Sequence, residues 1–507
     1  MVAVGVDSGT QGTKVLIVEA ETGEVFGRAS ALHSMIPSLK PGENEQDPRV
    51  WIDALEQALF QALTEAKIDP GAIACLGVSG QQHGFVPLDR DGNSIRPAKL
   101  WNDTSTVEET KIIVETLGGP KRYIEKLGIH LAVGFTASKI LWLKRHEPEN
   151  FKKLETVLLP HNYLNFCLTG VRHMEYGDAS GTGLMDIRRR EWHEEAIAAI
   201  DAGLRTKLPD LSHPVEPVGF IREPFASRFG LKKVLVSAGG GDNMMGAIGS
   251  GNVTPGVSTL SLGTSGTIYS YFREPLSDPE GEIAAFCDST GGWLPLLCTM
   301  NVTNVTELFK DLFKIGNAEL EALATEAPAG SDGLIFLPFI DGERVPVLPE
   351  ASAAFFGLTR RNFEASHLAR SVMEGTILNL GYGFRRLREL GLKPKEIRAT
   401  GGGAKSRLWL QIAADVFETP VVSLEEQEAA AYGAALQAVW CWRRANGQDA
   451  RIEDIAAIMV KTGRLAVRPE PKNLPLYAAA QERFNSLWKT LRPEYLRHRK
   501  TTERLET

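Results

Sequence analysis

A chain of 507 residues is too long for one hydrophobic core and suits two domains of about 200–250 residues each with extensions. Its 43% hydrophobic and 23% charged content is ordinary for a globular protein, and a net charge of −7 gives no basic footprint for nucleic acid or an anionic membrane face. The five cysteines, Cys75, Cys167, Cys287, Cys298 and Cys441, form no C-x-x-C pair and are odd in number, which points to reduced thiols rather than a disulfide frame or a zinc site. No apolar run nears the roughly 18 residues of a membrane helix and the start has no leader-like pattern, so the expected location is the cytoplasm.

The β-branched runs Val2–Val6, Val15–Val18 and Val25–Ala29 predict a three-stranded meander with turns at Gly9–Gly12 and Glu21–Gly23. Asp47-Pro48 opens a helix whose apolar residues Val50, Ala54, Leu55, Ala58, Leu59 and Leu63 keep helical spacing. Ile73–Val78 is a buried strand ending in Ser79-Gly80, and helices are expected over Phe135–His146 and Asn162–Leu168. Val234–Ser237 is a strand running into Gly239-Gly240-Gly241-Asp242-Asn243, with small residues behind it that suit a tightly packed helix. Val257–Leu262 and Ile268-Tyr269 flank a second Gly-rich turn. Ile397–Thr400 leads into Gly401-Gly402-Gly403-Ala404, followed by an amphipathic helix over Leu408–Val416. Glu425–Trp440 reads as a small-residue helix, and an amphipathic helix is expected near Tyr477–Leu491. Strands alternating with helices make this an α/β protein whose ligand loops follow the strands.

The pentapeptide Gly-Thr-x-Gly-Thr occurs twice, at Gly9–Thr13 and Gly263–Thr267, half a chain apart. A Gly-rich hairpin turn gathers bare N–H groups and Thr hydroxyls that suit phosphate oxygens, with glycine expected to supply the positive φ of a tight turn. Two such hairpins suggest duplicated domains that share a phosphate chain. Asp7, at a strand end beside the first turn and near Lys14, can hold Mg²⁺ through water, because that ion keeps most of its hydration. Asp242 follows three glycines and opens a helix, a place for a general base or, more plainly, a helix cap. Gln81-Gln82-His83-Gly84 and Trp101-Asn102-Asp103 gather amide, imidazole, carboxylate and indole groups that suit a polyhydroxylated carbon chain.

These motifs together resemble the FGGY carbohydrate kinases, over about residues 2–445, and within that family the chain looks most like the xylulose kinases. Asp7–Lys14 resembles the first phosphate motif, Gly134–Trp142 the first signature, and Phe356-Gly357-Leu358 running on to His367–Gly375 the second. Ser261–Gly266 resembles the second phosphate motif, and Gly401–Ala404 the adenosine motif. The resemblance implies two ribonuclease H-like (actin-like ATPase) domains around a central cleft. The expected division is an N-terminal domain over 1–249, a C-terminal domain over 250–445 and a helical extension over 446–507. It further implies ATP and Mg²⁺, with D-xylulose phosphorylated to D-xylulose 5-phosphate, Asp242 as catalytic base and Asp7 on the metal side. Gln82, His83, Trp101, Asp103, Asp242 and Asn243 would contact the sugar. Gly9, Thr10, Gly12, Thr13, Lys14, Gly263, Thr264, Ser265, Gly401, Gly402, Gly403 and Ala404 would hold the nucleotide. The expected partners are small molecules alone, with no nucleic acid and no membrane, and homodimer formation is left open. Gln82 stands where xylulose kinases usually carry Met, and Val345-Pro346-Val347 replaces a common Thr-Pro-His or Thr-Pro-Asn. The alternatives are a kinase for another ketose or polyol such as ribulose, and a non-catalytic actin-like nucleotide switch.

Overall fold

In the computed structural model, which describes residues 1–506, the chain gathers into two compact units. The first comprises Met1–Thr254, Tyr271–Pro295 and Glu428–Val460, and the second Pro255–Ser270, Leu296–Gln427 and the chain from Lys461 on. Among the described residues no helix is long and apolar enough to cross a membrane.

The first unit opens with the expected meander: β1 (Val2–Ser8), β2 (Gly12–Glu19) and β3 (Val25–Leu32). The pairs Asp7↔Lys14 and Ser8↔Thr13 fix the β1–β2 register. α1 (Arg49–Ala66) lays Trp51, Ala54, Leu55, Ala58, Leu59 and Ala62 into the core, where they join Val4, Val6, Ile17, Leu76 and Val78. β4 (Ile73–Gly80) runs parallel to β1, with Ser79 opposite Asp7. α2 (Thr136–His146) and α3 (Pro160–Thr169) follow. β5 (Leu235–Val236) and β6 (Gly240–Gly241) then pair in parallel with β4, and α4 (Asp242–Gly249) begins at once. The sheet order is Gly219–Phe220, β5, β4, β1, β2, β3, with β6 also on β4.

The second unit repeats the plan of a hairpin beside a parallel strand. β7 (Val257–Leu262) and β8 (Gly266–Ser270) form the hairpin, which β9 (Trp293–Thr299) extends through Leu296–Thr299. α5 (Thr303–Phe313) and α6 (Ala365–Glu389) precede β10 (Glu396–Thr400), which lies parallel to β7. α7 (Arg407–Phe417) and β11 (Val421–Leu424) come next. α8 (Ala429–Ala445) belongs to the first unit, and β12 (Thr462–Val467) closes the second unit's sheet as an edge strand on β11. α9 (Leu474–Glu506) follows it.

α8 lies in the first compact unit, where it folds onto that unit's sheet. Its small residues let backbone touch backbone there: a Cβ on Gly5 would lie 1.9 Å from the Ala431 carbonyl oxygen, one on Gly77 2.1 Å from that of Ala434, and one on Gly433 1.8 Å from that of Met245. The segment 446–507 is not helical throughout, since β12 alternates exposed and half-buried residues along a sheet edge. The helix expected from Glu425 starts at Ala429, and the one expected near Tyr477–Leu491 is longer, running through Leu474–Glu506.

The small residues of α8 are therefore a condition of the first unit's fold. Gly433→Ala should lower stability by about 2 kcal/mol or more, since one of two packed backbones must move. Urea titration of the variant and the parent protein measures it, and an unchanged midpoint would contradict this packing.

Candidate active site

The first Gly-Thr turn is closed by Gly9 N–H to the Gly12 carbonyl at 3.0 Å and by the Ser8 and Thr13 hydroxyls, 3.0 Å apart. Its glycines, and those of the second turn, do not take the positive φ expected of them. They are there for space: a Cβ on Gly12 would lie 2.8 Å from the Ala31 carbonyl oxygen, and one on Gly266 2.7 Å from a Val302 methyl. A Cβ on Gly9 or Gly263 would come no nearer than 3.8 or 3.5 Å to another atom, so the space beside these two glycines is open. Thr10 Oγ1 accepts from the Trp101 indole at 3.0 Å and donates to Gln81 Oε1 at 3.2 Å. The Gln81 amide in turn donates to Gln46 Oε1, which also takes the Trp51 indole. The phosphate-type turn and the sugar-type loop are thus one hydrogen-bonded network.

Asp7 accepts the Ser79 hydroxyl at 2.8 Å across the β1–β4 pairing. Burial pushes its carboxyl above the ordinary range, opposed by that bond and by the Lys14 ammonium. Lys14 itself is exposed and ion-paired with Glu428.

Asp242 is the first residue of α4, directly after β6 pairs Gly241 with Gly80. Its Oδ1 accepts the Asn243 N–H at 2.8 Å and the Asn243 side-chain amide at 2.9 Å. The first of these bonds satisfies an amide of the helix's first turn, so Asp242 also serves the start of α4. Burial pushes its carboxyl up to about 7, and the charges of Asp7 and Asp178 add to that while the Asn243 bonds oppose it. Asn243 also donates to Gln82 Oε1 at 2.8 Å. The buried Gln82 Nε2 has no hydrogen-bond partner. Gly241 must be glycine, because a Cβ would meet the Gln82 side chain at 2.6 Å and Asp178 Oδ1 at 2.9 Å.

His83 takes a positive φ of 62° and lays its ring against Phe135 and Phe286, at centroid distances of 4.4 and 5.5 Å. Its carbonyl accepts the Lys139 ammonium at 2.6 Å and the Thr136 hydroxyl at 3.2 Å. Burial holds Lys139 well below the ordinary lysine range. Asp103 is fully buried, Oδ1 takes the Ser105 N–H and hydroxyl, and Oδ2 takes the Asn44 N–H and the Lys99 ammonium. Its carboxylate therefore organises the loop that carries Trp101.

The first unit thus brings together Asp7, Gly9, Thr10, Gly12, Thr13, Gln82, His83, Trp101, Asp242 and Asn243. Within the second unit Gly263, Thr264 and Ser265 form the β7–β8 turn, closed by Gly263 N–H to the Ser265 carbonyl at 3.1 Å. Thr400 pairs with Ser261, so the Gly401–Ala404 loop lies beside that turn, and Gly402 has open space around it. A 3₁₀ turn over Gly402–Lys405 precedes α7, which Ser406 caps through the Trp409 N–H. Sequence reasoning missed Ser79, Gln46, Asp178 and the role of Lys139. The signal for Lys139 was present: it is the one charged residue within the otherwise neutral Gly134–Trp142 segment.

Comparison with known proteins places this geometry. The family model described as "FGGY family of carbohydrate kinases, N-terminal domain" matches residues 2–249, and the corresponding C-terminal domain model matches 260–442. A xylulose kinase of Haemophilus influenzae is 45% identical over 452 residues, 88% of this chain and 91% of that one. A xylulose kinase of Streptomyces coelicolor is 38% identical over 86% of this chain and 87% of the relative. The crystal structure of a "xyloylose kinase" from Brucella ovis superposes with a TM-score of 0.89 at 30% identity, covering 97% of this chain and 99% of that one.

The carboxyl of Asp242 links the site to stability. Unfolded, it ionises near about 4; folded, near about 7. The folded state therefore gains from a neutral carboxyl below the lower value, and that gain is lost as pH climbs through the higher one. Asp242→Asn, always neutral, should leave stability near pH ~4 almost unchanged and raise it near pH ~8 by about 1–2 kcal/mol. Chemical denaturation at both values checks this, and an equal change at both would contradict the raised carboxyl.

Proposed function

The chain belongs to the FGGY family of carbohydrate kinases, and from that premise we propose that it transfers the γ-phosphoryl group of ATP to the terminal hydroxyl of D-xylulose, yielding D-xylulose 5-phosphate. The observation that carries the reading is its near-full-length likeness to proteins named xylulose kinase. The joining of the Asp7 turn, the Gln82–His83 loop and Asp242 in one hydrogen-bonded neighbourhood supports it.

Asp242 acts as the general base. Asn243 holds one carboxylate oxygen, leaving the other to accept the proton of the sugar hydroxyl as its oxygen attacks the γ-phosphorus. The new O–P bond forms as the bond between the γ-phosphorus and the β–γ bridging oxygen breaks, and ADP leaves with that oxygen. Gln82 donates its buried Nε2 to a sugar oxygen, and His83 and Trp101 line the carbon chain. The first Gly-Thr turn, Gly9–Thr13 of the N-terminal domain over 1–249, faces phosphate oxygens. The second turn and the Gly401–Ala404 loop, in the C-terminal domain over 250–445, hold the triphosphate and the adenosine through backbone N–H groups and Thr hydroxyls.

Mg²⁺ fits the donor set. Asp7 is a carboxylate drawn out of its ordinary range by burial next to a second carboxylate, a setting that a cation relieves. Among the described residues no group of three or more His, Cys, Asp or Glu side chains forms a metal cage, and an ion held by one carboxylate, phosphate oxygens and water needs none. When bound, the ion would supply charge neutralisation to the transferring phosphoryl group. The protein acts as a small-molecule enzyme of the cytoplasm.

A coupled ADP-release assay across D-xylulose, D-ribulose, L-ribulose, xylitol and glycerol tests the reading. D-xylulose should give the highest kcat/KM, and Asp242→Ala should lower its turnover by about 10²–10⁴-fold with ATP binding retained. A faster rival sugar, or ATP turnover indifferent to sugar, would contradict the substrate. Full turnover in the folded variant would contradict the base.

A further inference from the structure

Gln437 lies near the middle of α8, a polar residue in the run Ala429–Val439 of mostly Ala, Gly and Leu, and it is fully buried. Its side-chain oxygen accepts the Gly239 N–H at 2.8 Å and the Ser237 hydroxyl at 2.9 Å. Its nitrogen donates to the Gly239 carbonyl at 2.9 Å and to the Ser289 carbonyl at 3.4 Å. Two donors meet the oxygen and two acceptors meet the nitrogen, so the amide fits in one orientation only. Gly239 is a pivot: its φ is 75°, and a Cβ there would lie 2.4 Å from the Val78 carbonyl oxygen. From that pivot the chain runs through β6 directly to Asp242, three residues on.

We propose that Gln437 is a positioning residue for the base: its amide clamps both polar groups of the Gly239 peptide and so sets where the Asp242 carboxylate stands. The inference rests on the reading of Asp242 as general base. It adds that the catalytic loop of the N-terminal half is held by a side chain from the C-terminal half. Displacing a reacting group by about 1 Å can cost about 10²-fold in rate, so loss of the clamp should fall on kcat.

Two variants of the full chain test this. Gln437→Met keeps the length and removes every hydrogen bond, and kcat should drop about tenfold or more while KM for ATP and for D-xylulose stays within about twofold. Gln437→Glu is isosteric. Protonated, it can still accept from Gly239 N–H and donate to one carbonyl; ionised, it turns negative charge on the Gly239 and Ser289 carbonyls. Burial raises such a carboxyl, so kcat relative to the parent should be highest near pH ~6 and fall steadily toward pH ~9. The titratable groups around it are Cys441 on α8, Cys75 on β4, Glu175 bonded to the Ser289 hydroxyl, and the His161–Asp178 pair near Gly239. They are present also in Gln437→Met, whose pH course shows how they titrate without a carboxylate at 437.

A flat ratio with parent-like kcat in both variants would overturn the proposal, as would KM values rising in step with the loss of kcat. If Gln437→Met did not fold, Gln437→Glu alone decides through its pH course. Backbone hydrogen exchange separates this proposal from the functional reading. The Gly239 amide should exchange about tenfold faster or more in Gln437→Met than in the parent, whatever sugar the enzyme takes. Unchanged exchange there would overturn the clamp, whereas absence of sugar-dependent turnover in the parent would overturn only the substrate and base.

Discussion

The first unit depends on backbone lying directly on backbone. α8 crosses β1 and β4 and packs along α4 at distances that exclude a single methyl group at Gly5, Gly77, Gly249 and Gly433. Interiors packed at crystal-like density convert such closeness into rigidity. The reward is positional: β1 carries Asp7 one residue before its end, β4 ends beside the Gln82–His83 loop, and α4 begins with Asp242. One helix therefore sets the relative heights of all three. Around it, Tyr432 donates to the Gly23 and Met459 carbonyls and Glu428 meets Lys14, so the meander is fixed to the same helix.

Electrostatics complete what packing begins. Asp7, Asp178, Glu175 and Asp242 share a region poor in water, and burial raises the Glu175 carboxyl to about 8 and that of Asp242 to about 7. Carboxylates held this close favour either a proton or a cation. An enzyme that must take a proton from an alcohol and manage a triphosphate needs both. The cost is carried by the fold, through the buried His161–Asp178 contact at 2.9 Å and the paired bonds of Asn243.

Much of this was legible in the sequence. The β-branched runs gave all three meander strands, the parallel strand and both Gly-Thr hairpins, because strand periodicity and turn chemistry are local. The glycine loops before Asp242 and at Gly401 were also legible as loops, but only Gly402 has open space beside it, while Gly239, Gly240 and Gly241 are glycine because neighbouring atoms crowd them. What local pattern could not carry was contact between distant segments. The glycines of the two hairpins were read as turn formers, whereas Gly12 and Gly266 serve the close approach of neighbouring residues. At Asp103 only the tertiary fold shows Lys99, Asn44 and Ser105 bonded to its two carboxylate oxygens. The small-residue character of α8 was visible, but its destination was not, since a helix of Ala and Gly names no partner. Gln437, which the sequence reading passed over, sits in that run because it bonds Gly239.

The central claim is that the fold delivers, at the start of α4, a carboxylate whose proton affinity is matched to neutral pH. Carbon-13 NMR of aspartate-carboxyl-labelled protein, with the Asp242 signal assigned by its absence from Asp242→Asn, reads that affinity directly. The account predicts a titration midpoint near about 7; a midpoint at the ordinary aspartate value of about 4 would contradict it.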